Sequence, residues 1–264
     1  MSESLTDSLS DFGAWGALLT RYIVPICEKD ERGDSQGHGT GLLVANRGAN
    51  FLVTAAHVLD PLRERSRLFF PCAKLKERNI GGSMLATIPL NGKCRNEDRV
   101  DIAVVRLDGD AQPPYPEVDK ESLDISWLRP SPLPRHGTSW FITGFPARRT
   151  KTHRIKKQVE VGPFGHACSS IEDSGYANLG LRPTESFALE FNVNKVYVGN
   201  GPPVKAPNPQ GMSGSPIWLL YDHPSENGGT GKQVVGIAIE HRHREKLIVG
   251  TDISVAIDMI QKLS

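Results

Sequence analysis

The chain is short of the features that mark several protein classes. It has four cysteines in 264 residues (Cys27, Cys72, Cys94 and Cys168), and no two stand in Cys-x-x-Cys spacing. That spacing excludes a zinc ribbon, and each thiol is expected to act as a small buried hydrophobe. No apolar run approaches the roughly 18 residues of a spanning helix, so no membrane association is expected. Neither sign of charge dominates. Lys and Arg number 31 against 30 Asp and Glu, a net charge of +1, which argues against general binding to nucleic acid or a charged surface. The opening Met1-Ser2-Glu3-Ser4-Leu5-Thr6-Asp7 is acidic and has neither a basic nor an apolar leader region, so a cytoplasmic location is expected.

What is present suffices for a sizeable core. Hydrophobic residues make up 38% and charged residues 23%, the balance of a globular chain with one large domain or two small ones. The apolar segments are short and separated by turn signals, the pattern of antiparallel barrels. Strands are expected at Tyr22 to Cys27, Thr40 to Ala45, Asn50 to Thr54, Arg67 to Phe70, Met84 to Leu90 and Arg99 to Leu107. A proline-rich stretch, with Pro113, Pro114, Pro116, Pro130, Pro132 and Pro134, then interrupts the pattern and reads as a linker. Strands resume at Ser139 to Phe145, Gln158 to Val161, Ser186 to Val193, Ser215 to Tyr221, Gln233 to Glu240 and Lys246 to Ile253. Helices are expected at Asp11 to Leu19 and at Val255 to Leu263, the latter on apolar residues at 257, 260 and 263.

Chemistry concentrates in three places. Gly211-Met212-Ser213-Gly214-Ser215-Pro216 puts a serine in a glycine-rich turn directly ahead of the apolar Ile217-Trp218-Leu219-Leu220. Gly211 lets the backbone turn tightly, so that the amides of Gly211 and Ser213 can face one point, as a developing oxyanion needs. A serine hydroxyl is a weak nucleophile without a base, and His57, at the end of Phe51-Leu52-Val53-Thr54-Ala55-Ala56, is the candidate. Asp101, at the head of Ile102-Ala103-Val104-Val105, is the candidate to orient that histidine; Asp98 competes, but sits among Asn96, Glu97 and Arg99 in what reads as a solvated turn. His241 and His243 share a strand face without an evident third ligand, so exposed hairpin residues are expected there, with no metal and no cofactor. The basic cluster at 148–157 reads as a solvated hairpin loop or, alternatively, as a dock for an acidic partner.

The three motifs, with Gly39-Thr40-Gly41 ahead of them, resemble the trypsin-like (chymotrypsin-fold) serine peptidases in the order His, Asp, Ser. The resemblance runs from about Tyr22 to the C-terminus and is closest to bacterial trypsin-like and HtrA-type peptidase domains. It implies an all-β fold of two six-stranded antiparallel Greek-key barrels with the active site between them. The implied division is an extension at 1–20, an N-terminal barrel at 21–112 with His57 and Asp101, a linker at 113–135, and a C-terminal barrel at 136–264 with Ser213 and a closing helix. The implied activity is serine endopeptidase cleavage of protein or peptide substrates through an acyl-enzyme. A catalytically silent module used for binding or scaffolding is the rival.

Departures from the secreted branch carry their own expectations. No cysteine flanks His57 or Ser213, which fits a reducing compartment. Met212 stands where the secreted enzymes carry the acid that receives a new N-terminal amine, so activation by propeptide cleavage is not expected. No segment follows Ser264 to supply a PDZ domain, and peptide sensing by that route is expected to be absent. By resemblance the pocket for the residue before the scissile bond involves Pro207, Ile239, Glu240, Gly250 and Asp252. Pro207 replaces the usual acid at the pocket base. Asp252 then has two readings: a carboxylate on the pocket wall that favours Arg or Lys, or a turn cap that leaves a small apolar pocket shaped by Ile239.

Overall fold

A computed structural model of the chain describes residues 16, 18–63, 67–71, 77–89, 94–131, 138–153, 158–195, 205–224 and 230–264. Most of the expected first helix, at 11–15 and 17, and part of the basic loop, at 154–157, lie outside these residues. No helix among them is long and apolar enough to cross a membrane.

The first sheet is built from β1 (Ile23–Lys29), β2 (Ser35–Asn46), β3 (Ala49–Ala55), β4 (Leu68–Pro71), β5 (Glu77–Asn79), β6 (Gly82–Ala86), β7 (Ile102–Leu107) and β8 (Leu123–Asp124). Its order is β5-β4-β1-β2-β3-β7-β6, with β8 pairing β2 in parallel. A two-stranded ribbon follows, β10 (Thr150–His153) with β11 (Gln158–Val161). The second sheet uses β9 (Ser139–Gly144), β12 (Phe164–Ser169), β13 (Ser186–Glu190), β14 (Pro216–Pro224), β15 (Thr230–Arg242) and β16 (Leu247–Asp252), in the order β12-β9-β14-β15-β16-β13. Both sheets curl, giving the double-barrel fold of the chymotrypsin type. The second has six strands, but not the six expected: Gln158–Val161 pairs in the ribbon instead, and the unanticipated β12 takes its place; the first has eight through the short additions β5 and β8.

Local rules explain the parts that carry the site. The β2–β3 hairpin turns on Arg47 and Gly48, both at positive φ (49° and 80°), and such two-residue turns match the twist of the flanking strands. The hairpin delivers the chain into α1 (Ala56–Arg63), whose second residue is His57. Because β3 pairs antiparallel with β7 and Ala55 lies opposite Ile102, residues 56, 57 and 101 emerge at the same sheet edge. Among the described residues, two later α-helices are α2 (Asp173–Asn178) and α3 (Ser254–Leu263).

The apolar interior has two parts. One is confined to the second barrel, around Trp140, Ile142, Phe187, Leu189, Ile217 and Val235. The other fills the first barrel and continues across the junction through Phe141, Phe145, Trp218 and Ile237. The closing helix buries Ala256 and Ile260, with residues 257 and 263 only partly covered, so its inner face is centred one residue earlier than the 257/260/263 pattern suggests. It belongs to the second half of the chain yet is tied to the first sheet, since Asn46 Nδ2 donates to Ser264 Oγ (2.8 Å) and Arg106 Nη1 to the Leu263 carbonyl (3.2 Å).

Candidate active site

His57 and Asp101 make two contacts. Asp101 Oδ1 accepts from the His57 backbone N–H at 2.9 Å, and Oδ2 lies 2.5 Å from His57 Nδ1. The Asp101 side chain is 7% exposed and that of His57 is 38% exposed, so the carboxylate is shielded while the ring reaches solvent. With Nδ1 facing the carboxylate, Nε2 is the ring nitrogen left to serve as a base. Asp98 does not touch His57. It is not in a solvated turn either: its side chain is 5% exposed and paired with Arg95 Nη1 at 2.9 Å. The expected environment is corrected, because a neighbouring Arg draws the carboxylate inward.

The serine turn consists of two successive tight turns. The Met212 N–H donates to the Pro209 carbonyl (2.9 Å) and the Ser215 N–H to the Met212 carbonyl (3.0 Å). Gly211 and Gly214 occupy the third positions at φ 89° and 88°, as type II turns require. Neither site has room for a side chain. A Cβ on Gly211 would lie 2.7 Å from the Ala147 nitrogen, and one on Gly214 would lie 2.0 Å from the Thr40 carbonyl oxygen.

An account of this turn's backbone groups singles out two of them. The N–H groups of Gln210, Met212, Gly214 and Ser215 are all engaged. The carbonyls are held too: Gln210 by the Ala147 N–H (2.7 Å), Gly211 by Thr40 Oγ1 (3.0 Å), Met212 by the Ser215 N–H (3.0 Å) and Ser213 by the Thr40 N–H (2.8 Å). The N–H groups of Gly211 and Ser213 donate to nothing among the described residues. Two unengaged amides in a turn whose carbonyls from Gln210 to Ser213 are all held are suited to receive an oxyanion.

Thr40 lies at the centre of this arrangement and is wholly buried. Besides the two bonds to the serine turn, its Oγ1 accepts from the Phe145 N–H (2.9 Å) and its carbonyl accepts from Thr54 Oγ1 (2.7 Å). One side chain of the first barrel thereby ties the serine turn to the end of β9. The sequence signal was a threonine between two glycines, and those glycines are needed for close packing: a Cβ on Gly39 would lie 2.4 Å from Val58 Cγ1, and one on Gly41 2.3 Å from Leu52 Cδ1.

His57, Ser213 and the turn from Asn208 to Met212 line one cleft of about 880 Å³. Its other walls come from Arg95, Glu97, Asp98 and Arg99 before β7, from Ala238 to Arg242 of β15, and from Leu181, Ile248 and Val249. The Ser213 hydroxyl is turned to the Ile239 carbonyl at 3.4 Å and forms no hydrogen bond with His57 in this conformation. His38, not anticipated from the sequence, also lines the cleft. Its Nε2 is buried without a partner among the described residues, and burial, aided by the nearby His57, lowers its pKa.

Of the expected pocket residues, Ile239 and Glu240 line the cleft; Pro207, Gly250 and Asp252 do not. The cleft reaches only the beginning of β16, at Ile248 and Val249. A Cβ on Gly250 would meet Ile217 Cδ1 at 2.5 Å, inside the sheet packing. Asp252 is buried at the far end, where Oδ1 accepts from the Ser254 N–H (3.1 Å) at the start of α3 and Oδ2 from the Ser131 N–H (3.4 Å). Glu240 is paired with Arg242 at 2.9 Å and half exposed.

The remaining candidates fall elsewhere. Met212 is buried in the second core. His241 and His243 pack edge to face at 5.8 Å, with His241 against Phe191 as well, and burial followed by the neighbouring His243 lowers the His241 pKa. Cys27 and Cys168 are buried free thiols whose pKa values burial raises. In the basic loop, Arg149 donates to the Pro163 carbonyl at 2.6 Å and covers the Phe164 ring, so one of its charges is committed to the fold.

The trypsin-like peptidase domain matches residues 39–222, from the Gly39-Thr40-Gly41 strand through the serine turn into β14. Comparison with curated proteins finds no match. With the domain match spanning well over half of a double-barrel chain, this protein belongs to the trypsin-like peptidase family.

Proposed function

We propose that the protein is a serine endopeptidase that cleaves protein or peptide substrates through an acyl-enzyme. Ser213 is the nucleophile, His57 its base, and Asp101 the residue that holds the histidine. In the reaction the Ser213 hydroxyl leaves the Ile239 carbonyl for His57 Nε2, a contact of the kind that is commonly loose before substrate binds. As Oγ attacks the substrate carbonyl carbon, its proton passes to Nε2, and the carbonyl oxygen takes up the negative charge between the Gly211 and Ser213 N–H groups. Collapse breaks the C–N bond, and the imidazolium gives its proton to the departing amine. Water, deprotonated by the same nitrogen, then releases the acyl group.

The observation that carries this reading is the pair of unengaged amides in a turn whose carbonyls from Gln210 to Ser213 are all held. Loss of one oxyanion donor in such enzymes slows turnover by about 10²–10³-fold, so a turn bonded in this way has a large effect to protect. The cleft's apolar wall (Leu181, Ala238, Ile239, Ile248 and Val249) supports a preference for apolar residues before the scissile bond. The Ser213 hydroxyl engaged away from His57 is the feature a silent binding module would share. Turnover of a peptide library by purified protein, lost in Ser213→Ala, separates the two readings. Amide and ester substrates compared side by side separate a peptidase from an esterase.

A further inference from the structure

Asp101 has a left-handed backbone, φ 46°, a conformation that a non-glycine residue keeps only where its surroundings over-determine it. The surroundings here are Thr87 and Asp98. Asp98 Oδ1 accepts from the Val100 N–H at 3.1 Å, and its Oδ2 accepts from Thr87 Oγ1 at 2.6 Å. Thr87 Oγ1 accepts in turn from the Ile102 N–H at 3.1 Å, and the Thr87 N–H donates to the Ile102 carbonyl at 2.8 Å. The residues on both sides of Asp101 are therefore bonded to one threonine–aspartate pair.

Arg95 locks that pair to the element that carries His57. Its Nη1 donates to Asp98 Oδ2 (2.9 Å) and to the Thr87 carbonyl (2.7 Å), while Nε donates to Asp60 Oδ2 (3.0 Å). Asp60 lies on α1, one helical turn after His57. The side chains of Arg95 and Asp98 are 17% and 5% exposed, in a loop whose neighbours Glu97 and Arg99 are exposed. Burying an Arg–Asp pair is costly unless the geometry is well satisfied, and here it is.

We infer that Thr87, Asp98 and Arg95 form a buckle that positions Asp101 against His57. They are positioning residues acting through Asp101. Their effect on rate rests on the proposed function; their effect on the His57–Asp101 contact does not. Without the Thr87 hydroxyl, the Ile102 N–H and Asp98 Oδ2 each lose a partner, and the left-handed turn relaxes toward common backbone angles. The carboxylate then retreats from the ring, and the imidazolium loses the charge that stabilises it.

The test is Thr87→Val, which leaves every charge of the cleft in place, with Thr87→Ser as the variant that keeps the hydroxyl. The His57 Nδ1 proton, which lies in the contact with Asp101, is followed by NMR, assigned by its loss in His57→Gln, and peptide turnover is measured per site titrated with a fluorophosphonate. Expected for Thr87→Val is loss or upfield displacement of that resonance, and kcat reduced roughly ten- to a hundredfold with little change in KM. Thr87→Ser stays near wild type in both. If Thr87→Val does not fold, the charge-conserving Arg95→Lys is read in the same way. A folded variant whose Nδ1 resonance is unchanged overturns the inference. A displaced resonance in a protein that proves to have no peptidase activity upholds it and removes the proposed function instead.

Discussion

The Ala147 N–H donates to the Gln210 carbonyl at 2.7 Å, and this contact sets the direction of the next amide. The N–H and C=O of one peptide point to opposite sides, so a carbonyl held against Ala147 turns the Gly211 N–H away from it. A strand end of the second barrel thereby orients one of the two candidate oxyanion donors.

Ala147→Pro tests that relationship. Ala147 opens a 3-10 turn and follows an extended Pro146 (φ −59°, ψ 131°), so proline suits the backbone, removes the N–H and sets its ring Cδ against the Gln210 carbonyl, which must move away. Steady-state kinetics on a peptide should show kcat lowered by about 10²–10³-fold, the loss of one oxyanion donor. Unchanged kcat would mean that the 210–211 peptide needs no anchor.

The two carboxylates before β7 should separate cleanly. Asp101→Asn leaves His57 Nδ1 facing an amide and should lower kcat by about 10⁴-fold. Asp98→Asn, which touches His57 only through Asp101, should fall far short of that. Equal losses in both variants, measured on the same substrate, would contradict the assignment.

Acid stability has a histidine component outside the cleft. His166, against Phe164 and Phe191, has its pKa pushed down to about 4 by burial. Its folded value lies below the ordinary ~6.5, so the unfolded chain binds the proton more readily and stability rises with pH across this window. The contribution is complete above pH ~6.5 and is lost as pH falls toward about 4. Melting curves should show Tm falling over that range, and His166→Phe should flatten the fall. A fall in Tm that is just as steep in His166→Phe would show that His166 takes up its proton equally in the folded and unfolded chain.

Cleavage preference follows from where Asp252 went. It caps the start of α3, so Asp252→Ser should leave the residue preference before the scissile bond apolar and unchanged, even if it lowers Tm. Profiling with a peptide library gives the answer. A preference for Arg or Lys that disappears in Asp252→Ser would restore the acidic pocket.

How far the sequence was legible depended on how local the determining contacts are. His57 follows a hairpin strand, Ser213 sits between glycines that only a tight turn accommodates, and Asp101 heads an apolar strand; all three signals lie within a few residues. The burial of Asp98 and the many roles of Thr40 were not legible, because both depend on partners from other segments: Thr87 for Asp98, and the turn at 211–213 for Thr40. The resemblance put Gly250 and Asp252 in the pocket but says nothing of how far along a strand a cleft extends, and this one reaches β16 only at Ile248 and Val249. His38 carried no signal beyond its glycine neighbours.

The most direct test of the central claim is covalent labelling of the purified protein with a fluorophosphonate, read by intact mass and peptide mapping. Attack by an activated serine should give one adduct, on Ser213, which is absent in Ser213→Ala and greatly slowed in Asp101→Asn. A folded protein that takes up no label, or that takes it up equally well as Ser213→Ala, would contradict the account.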